Sequence, residues 1–481
     1  GEMEGIEEFR SRGGHEEHTV EWTADRFIQL QKDVMNGGAK EAVEVLNHMD
    51  DINVDQVDTG DFTLDSITDL IRMALYKVNT NVLFSSLQST LLRLLSPPIP
   101  SSIKMKLIQR FISDKITVQS LLGGPGLATA VALARNLQED QLTEGICTLI
   151  GPLVTKNEIL IELKYQLEKE SMRLPVYQAI GEALSLGIYS DTMQPFFDQL
   201  HKDLTSSDYL LQMTSFDVLS DMVIKCSPSI SQELIDQFGR DVYGMMESSR
   251  DSPDGGFVFG GAQKCLCELI SHNPSSISLF PQLFPSVVQQ VLNFSYLDAI
   301  QRIRSFELFT LLARSNEGKT ILLSEEYQSK TIDCLQKYPL ALSSSPVEMK
   351  SRLVESLAFL FKEGNESNKE AFFRGIGLSF AATTVELAKR PFPELKGAVY
   401  ELWMNLLDCS FGSRLLLGTP EFISWLLPYS GNTWSDSQAW KDICERLLQY
   451  DQIESVMAER IKRALHDHSN PHALPQVATQ M

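Results

Sequence analysis

One amphipathic helical pattern recurs along most of this chain of 481 residues. Its clearest copy follows Pro391 and Pro393, which interrupt whatever precedes them. Apolar residues then fall on one stripe at helical spacing, namely Leu395, Val399, Leu402, Trp403 and Leu406. A helix with a single apolar stripe must bury that stripe against a neighbour. Repetition of such a helix therefore predicts an array in which each copy packs on the next.

The recurring template has an apolar residue, a polar residue, a small or apolar residue three positions later, and two further apolar residues. It fits at nine places, with its polar position at Gln88, Thr143, Tyr177, Gln212, Gln263, Arg302, Lys350, Lys396 and Lys441. The mean spacing is about 44 residues, inside the range of roughly 40 to 47 for HEAT and armadillo repeats. Second apolar helices lie between the copies, for example at 194–204, 284–294 and 372–387. The pattern predicts an all-α, curved α-solenoid of degenerate HEAT/armadillo-like helical repeats.

The polar stretches set the predicted boundaries. Residues 1–20 are acidic and predict a disordered tail, and residues 466–481 are polar and predict a frayed C-terminal tail. Between them, 21–465 is predicted to be a single α-solenoid that starts with short helices at 23–35 and 39–48. The stretch 247–261, ESSRDSPDGGFVFGG, is the least structured interior part and the predicted hinge.

Charge and composition narrow the class of partner. The net charge is -21, which repels nucleic acid phosphates and favours a protein partner. No stretch approaches the ~18 consecutive apolar residues of a membrane span, so no membrane partner is expected. The odd number of scattered Cys residues, seven, indicates free thiols in a reducing compartment. A cytoplasmic location, with the nucleus as an alternative, is expected.

Local catalytic and metal-binding motifs are missing from the sequence. Gly318-Lys319-Thr320 has the tail of a phosphate-binding loop, but Ala313 stands where that motif needs Gly, so Gly318 is interpreted as ending a helix. Cys265 and Cys267 point in different directions on a helix and are interpreted as buried thiols. The sequence therefore predicts no enzyme, no catalytic residue, no cofactor and no metal site.

Three runs in the C-terminal half resemble a known family. They are RSNEGK from Arg314, SPVEMKSR from Ser345, and PFPEL from Pro391 followed by Ala398. These runs resemble the family of non-ATPase regulatory subunit 5 of the 26S proteasome, most clearly over 314–422. The resemblance implies an armadillo/HEAT-type chaperone for assembly of the base of the regulatory particle. Such a chaperone would bind the C-terminal domain of one AAA ATPase subunit, without catalysis, and leave before the proteasome is complete.

The last four polar positions of the template are all cationic: Arg302, Lys350, Lys396 and Lys441. Spaced about one repeat apart on an acidic protein, they predict a basic ladder on the inner face that binds an acidic partner surface. The alternative is that each cation forms an ion pair with an acid on the next repeat. We expect the chain to be a monomer by itself.

Two other classes of function stay open from the residues. An α-solenoid adaptor in transport or trafficking would use a similar surface, but it would carry a ladder of exposed Trp and Asn residues. No such ladder is present, and Trp403 and Trp440 lie on the apolar template, which assigns them to the core. An enzyme with a dispersed site is the second alternative.

Overall fold

The computed structural model describes residues 24–47, 64–78, 125–137, 143–252, 255–427 and 434–469, with a few single positions between 92 and 109. Every regular element in these ranges is an α-helix or a short 3-10 helix, which confirms the all-α prediction. None of the helices in the same ranges is long and apolar enough to cross a membrane.

The chain forms two compact units, Gly1–Ile230 and Ser231–Met481. Unit 1 contains α1 (Ala24–Asn36), α2 (Ala39–Asn47), α3 (Leu64–Lys77), α4 (Pro125–Arg135), α5 (Thr143–Ile150), α6 (Asn157–Leu167), α7 (Arg173–Ser185), α8 (Gln194–Leu204) and α9 (Tyr209–Lys225). The boundary falls in the first turn of α10 (Pro228–Ser249).

Unit 2 continues with helices of very unequal length. They are α11 (Gly256–His272), α12 (Leu283–Leu292), α13 (Ala299–Ala313), α14 (Asn316–Leu322), α15 (Gln328–Leu335), α16 (Tyr338–Ser343), α17 (Val347–Leu360), α18 (Glu366–Ile376), α19 (Phe380–Ala388), α20 (Pro393–Leu406), α21 (Ser410–Leu417), α22 (Pro420–Leu426), α23 (Trp434–Leu448) and α24 (Ser455–Ser469).

The template helices of each unit form one layer. In unit 1, α7 packs between α5 and α9, and in unit 2 the order of neighbours is α11, α13, α17, α20 and α23. The intervening helices form a second layer, in which α12 packs on α15, α15 on α18 and α18 on α21. Two layers of helices with one template helix per repeat are the architecture of HEAT and armadillo proteins. The predicted fold class is confirmed.

The apolar stripe of α20 is core, as its spacing predicts. Leu395, Val399, Leu402, Trp403 and Leu406 are each at most 1% exposed. The Trp403 indole Nε1 donates a 2.8 Å hydrogen bond to Thr384 Oγ1 of α19, and its ring lies edge-on to Phe422 of α22. Trp440 is also fully buried, and its Nε1 donates to the Leu426 carbonyl at 3.0 Å. The assignment of both tryptophans to the core is confirmed.

Neighbouring template helices of unit 2 run parallel, and their contacts join residues one repeat apart. Arg352 of α17 pairs with Glu307 of α13, which is 45 positions earlier. Further along the same two helices, Thr310 and Ser356 share a 2.7 Å hydrogen bond across 46 positions. Asn405 of α20 donates to the Ala358 carbonyl of α17 across 47 positions. Since early turns meet early turns and late turns meet late turns, the N-terminal ends of these helices share one edge of the layer.

Two local predictions were wrong, both at glycines. Gly318 does not end a helix but lies in the first turn of α14, where its N–H donates to Ser315 Oγ at 2.8 Å. A Cβ there would come 2.7 Å from the Leu312 carbonyl, so Gly permits the close approach of α14 to the end of α13. The apolar stretch 372–387 is not one helix, because Gly377, with φ of +117°, separates α18 from α19.

The predicted segment boundaries lie only partly in described residues. In the predicted hinge at 247–261, α10 continues to Ser249 and α11 begins at Gly256, so most of the stretch is helical. α24 continues to Ser469, past the start of the predicted C-terminal tail at 466, and positions 470–481 lie outside the described residues. The predicted tail at 1–20 lies outside them as well. The hinge stays a prediction.

Candidate partner-binding face

The exposed side chains of α11, α13, α17, α20 and α23 lie on the solvent-facing side of the template layer in unit 2. We call this surface the template face. It is the place where the sequence predicts the basic ladder of Arg302, Lys350, Lys396 and Lys441. The surroundings of each cation therefore decide how much of that ladder is available to a partner.

Arg302 is held by the backbone just before its own helix. Its Nε donates to the Leu297 carbonyl at 2.8 Å, and its Nη2 donates to the Ser295 carbonyl at 3.2 Å. Both carbonyls belong to the connection that leads into α13, and the side chain is half-buried. Arg302 thus fastens the start of its helix.

Lys396 is engaged with the following repeat. Its Nζ lies 3.6 Å from Asp436 Oδ2 on α23, and the two side chains are 26% and 11% exposed. This contact is the ion pair between neighbouring repeats that stands as the alternative to a binding role. Of the four cations, Lys396 is the one that forms such an ion pair with the next repeat.

Lys350 and Lys441 have no such contact. Lys350 is only 9% exposed and makes no hydrogen bond or ion pair with any described residue. Burial, and after it the positive charge of Arg390, lowers the pKa of Lys350. Lys441 is half-buried on α23 and is likewise unpaired within the described ranges. The role of the four cations in partner binding stays a prediction, and two of the four are open for it.

Exposed carboxylates also line the template face, and the template did not predict them. Glu348 and Glu355 lie on α17, and Glu394 and Glu401 lie on α20. All four are exposed, and none is paired within the part of the chain that the structure describes. The signal for them is present in the sequence, because these acids lie off the apolar stripe at spacings of seven. The template includes only one polar position per helix, so it does not predict these four carboxylates.

Unit 1 has a groove on the matching face of its template layer. A cavity of about 240 Å³ lies between α5, α7 and α9, where Gly181 contributes no side chain. Its charged lining consists of Glu144, Glu182, Asp221 and Lys225. Burial, with Glu182 and Glu144 adding to it, raises the pKa of the Cys147 thiol in this groove to about 12. The thiol is therefore protonated at neutral pH and poorly suited to act as a nucleophile.

The polar template position of unit 1 is tied to buried groups. The Tyr177 hydroxyl donates to Asp203 Oδ2 at 2.7 Å, and Asp203 is only 2% exposed. Arg173 Nη1 and Gln199 Nε2 each donate to Asp203 Oδ1 at 2.9 Å. A buried carboxylate with three donors, one of them the paired cation Arg173, is a structural anchor between α7 and α8.

Lys319, from the run that resembles a phosphate-binding loop, is fully buried. Its Nζ donates to the carbonyls of Ala313 at 2.9 Å and Arg314 at 2.8 Å, which end α13. Burial lowers its pKa to about 7. The ammonium is thus occupied by backbone and is not presented to a phosphate. No group of three or more His, Cys, Asp or Glu residues arranged to hold a metal ion occurs among the described residues.

Comparisons with known proteins agree with the resemblance found in the sequence. A family model described as "Proteasome non-ATPase 26S subunit" matches residues 10–472. The human 26S proteasome non-ATPase regulatory subunit 5 is 22% identical over 326 residues, which cover 64% of this chain and 62% of that protein. The protein of the same name from Bos taurus is 22% identical over 327 residues. The chain thus spans less than two thirds of the length of these relatives.

Solved structures with similar backbones are more distant. An engineered protein superposes with a TM-score of 0.39 at 14% identity, covering 90% of this chain and 98% of that one. A chain of the Kap95:Nup1 complex superposes with a TM-score of 0.44 at 10% identity, covering 97% of this chain and 62% of that one.

Proposed function

The chain belongs to the proteasome non-ATPase 26S subunit family, and from this premise we propose that it is an assembly chaperone for the base of the proteasome regulatory particle. It binds the C-terminal domain of one AAA ATPase subunit and leaves before the mature proteasome is complete. It acts by stoichiometric binding and has no catalytic step. The observation that carries the proposal is the family match over 10–472, and the helical repeats supply the broad surface that such binding needs.

Within the template face, Lys350 and Lys441 are the cations that contact the partner. Lys350 is nine-tenths buried beside the positive charge of Arg390, with no acid near enough to pair within the described residues. A buried cation without a counter-charge is unfavourable, so a carboxylate from the partner would relieve an existing electrostatic strain. Arg302 and Lys396 keep their internal contacts and hold α13 and α20 in place.

Affinity purification of the tagged full chain from cells, followed by mass spectrometry, tests the class of function. We expect ATPase subunits of the base without subunits of the proteolytic core, because the chaperone leaves before the two assemble. Recovery of core subunits together with the ATPases would reject the chaperone role. Recovery of transport factors without ATPases would favour the adaptor alternative instead.

A charge-neutralising pair of substitutions tests the site. Lys350→Gln with Lys441→Gln should weaken binding of a purified ATPase C-terminal domain by on the order of tenfold, as expected for the loss of two charge contacts. The matched control is Lys330→Gln with Lys462→Gln, since these lysines are 62% and 60% exposed and lie elsewhere. Biolayer interferometry would measure both. Equal affinity of the two double variants would remove Lys350 and Lys441 from the binding site.

A further inference from the structure

The groove of unit 1 between α5, α7 and α9 is an open cavity with an apolar lining. Its volume is about 240 Å³. Gly181 provides the space, because a Cβ at this position would come no closer than 3.9 Å to its nearest neighbour, Met222 Cγ. Met222, Val218 and Cys147 are each at most 7% exposed and form the floor, whereas Leu174 is 43% exposed. An aliphatic chain that entered the cavity would therefore cover apolar surface.

The charged side chains that line this cavity are mainly acidic. Glu144, Glu182 and Asp221 come from three different helices, and Lys225 is the one cation among the described residues of the lining. None of these four side chains forms a hydrogen bond or an ion pair with a described residue. Lys225 lies one turn after Asp221 on α9, so it can offset only part of the negative charge.

The surface beside the cavity has the same sign of charge. Asp217 is exposed on α9, one turn before Asp221. Apart from Lys225, the cation on these three helices is Arg173, and its guanidinium is already held by the buried Asp203 at 2.9 Å. The described face of α5, α7 and α9 therefore attracts a cationic ligand.

Two of the carboxylates lie near one point of the cavity. After burial itself, Glu182 and, more weakly, Glu144 raise the pKa of the Cys147 thiol, with Lys225 acting in the opposite direction. Two like charges near one buried group are unfavourable unless a cation lies between them. A guanidinium suits this place better than an ammonium, because its planar fork of donors can serve two carboxylates and it is more weakly hydrated.

We propose that the groove of unit 1 binds an arginine side chain of a protein partner. The guanidinium lies between Glu144 and Glu182, and the methylene stem lies in the space that Gly181 leaves, against Leu174. The carboxylates select a basic side chain, and the apolar floor favours one with a long aliphatic stem. The site lies in unit 1, and it does not depend on the proposed role in proteasome assembly.

A short fluorescent peptide with three arginines separated by glycines provides the probe. Anisotropy at physiological salt should show saturable binding to the full chain. The same peptide with citrulline in place of arginine keeps the shape of the side chain without its charge, and it should bind at least tenfold more weakly. A version with lysine keeps the charge but lacks the planar fork of donors, so it should also bind more weakly than the arginine peptide.

Filling the cavity tests the site without changing any charge. Gly181→Leu should weaken binding of the arginine peptide at least tenfold. The matched control is Gly244→Leu, because Gly244 is exposed on α10 and a Cβ there would have no neighbour within 4 Å. Leucine is a good helix former, so both variants should fold, which circular dichroism checks.

Removing the two carboxylates tests the charges at nearly constant side-chain volume. Glu144→Gln with Glu182→Gln should weaken binding of the arginine peptide at least fivefold. The matched control is Glu158→Gln with Glu168→Gln, which removes the same net charge at the two exposed ends of α6 and should leave binding close to that of the parent.

Three results would each overturn the proposal. They are equal affinity for the arginine and citrulline peptides, unchanged affinity in Gly181→Leu, and equal weakening by the two glutamine pairs, which would indicate general attraction to an acidic protein. Equal or tighter binding of the lysine peptide would reject arginine as the ligand. Binding of the ATPase C-terminal domain by Gly181→Leu is measured in parallel and should equal that of the parent, so the two proposals can fail separately.

Discussion

The polar position of the template helix is neutral in unit 1 and mostly cationic in unit 2. In unit 1, Gln88 lies outside the described residues, and each of the other three donates a hydrogen bond inside the chain: Thr143 to the Leu137 carbonyl, Tyr177 to Asp203, and Gln212 to the Leu204 carbonyl. In unit 2, Arg302 does the same with the Leu297 carbonyl, and Lys396 reaches Asp436, but Lys350 reaches no described acid or carbonyl. Most of these residues thus bind another group of the chain and hold the start of their helix in place. In unit 2 the residue that does so is usually charged.

The physical reason lies in the connections between helices. The last carbonyls of a helix and those of the following turn lack backbone partners, so a side chain at the start of the next helix can satisfy them. Gln212 in unit 1 and Arg302 in unit 2 both donate to such carbonyls at 2.8–2.9 Å. A neutral amide and a guanidinium thus both satisfy a carbonyl of the connection that precedes their helix. The sign of the charge at this position does not by itself indicate a binding surface.

Removing the buried anchor of unit 1 should have the largest effect. Asp203→Ala leaves the Tyr177 hydroxyl and the Arg173 guanidinium without their buried acceptor, so we expect a loss of about 3 kcal/mol in the free energy of unfolding. Urea unfolding followed by circular dichroism measures it. Asp198→Ala on the same helix is the control, because Asp198 is exposed and, among the described residues, is bonded only to Gln194. A loss below about 1 kcal/mol would show that unit 1 is not anchored at this position.

The buried lysine of unit 2 should make the free energy of unfolding depend on pH, because burial lowers the pKa of Lys319. Its pKa of about 7 lies below that of an unfolded lysine, about 10.4, so above pH 7 the unfolded chain binds a proton that the folded chain does not. Stability then rises with pH. Between pH 7 and 8.5 this one group should add about 2 kcal/mol to the free energy of unfolding. Urea unfolding at several pH values measures the rise.

The control for this prediction compares how the free energy of unfolding changes with pH in two variants. Lys319→Met should remove the rise, whereas Lys330→Met, at an exposed lysine, should retain it. The difference matters because buried thiols such as Cys147 keep their protons when folded and oppose the rise above about pH 8.5. Parallel slopes for the parent and Lys319→Met would mean that Lys319 stays charged in the folded chain.

The sequence predicts the helices of this protein better than it predicts where their polar side chains point. The repeat period and the stripe of α20 follow from apolar spacing, because a whole helix face contributes to that signal. A polar residue at the border of the stripe can turn inward to a carbonyl, as Arg302 does, or outward to solvent. That choice depends on a connection of a few residues before the helix, and no periodic signal encodes it.

The two glycine errors have the same origin. Gly318 and Gly377 occur in similar helical surroundings in the sequence, yet the first is inside a helix and the second separates two helices. What distinguishes them is tertiary: Gly318 is pressed against the carbonyl of Leu312, whereas Gly377 has a positive φ. The local sequence shows that a glycine can adopt unusual backbone conformations and allow close approach. It does not show which of these the tertiary structure requires at a given glycine.

The smallest expected effect decides whether Lys396 belongs with the fastened or the open cations. A double-mutant cycle with Lys396→Ala and Asp436→Ala should give a coupling energy of about 0.5 kcal/mol, because the pair is partly exposed and its atoms lie 3.6 Å apart. The matched cycle with Lys350→Ala and Asp436→Ala should give a coupling near zero, since no ion pair joins these two residues. Urea unfolding of the single and double variants measures both. If the first cycle also gave zero, Lys396 would be as free as Lys350, and unit 2 would present three open cations to a partner.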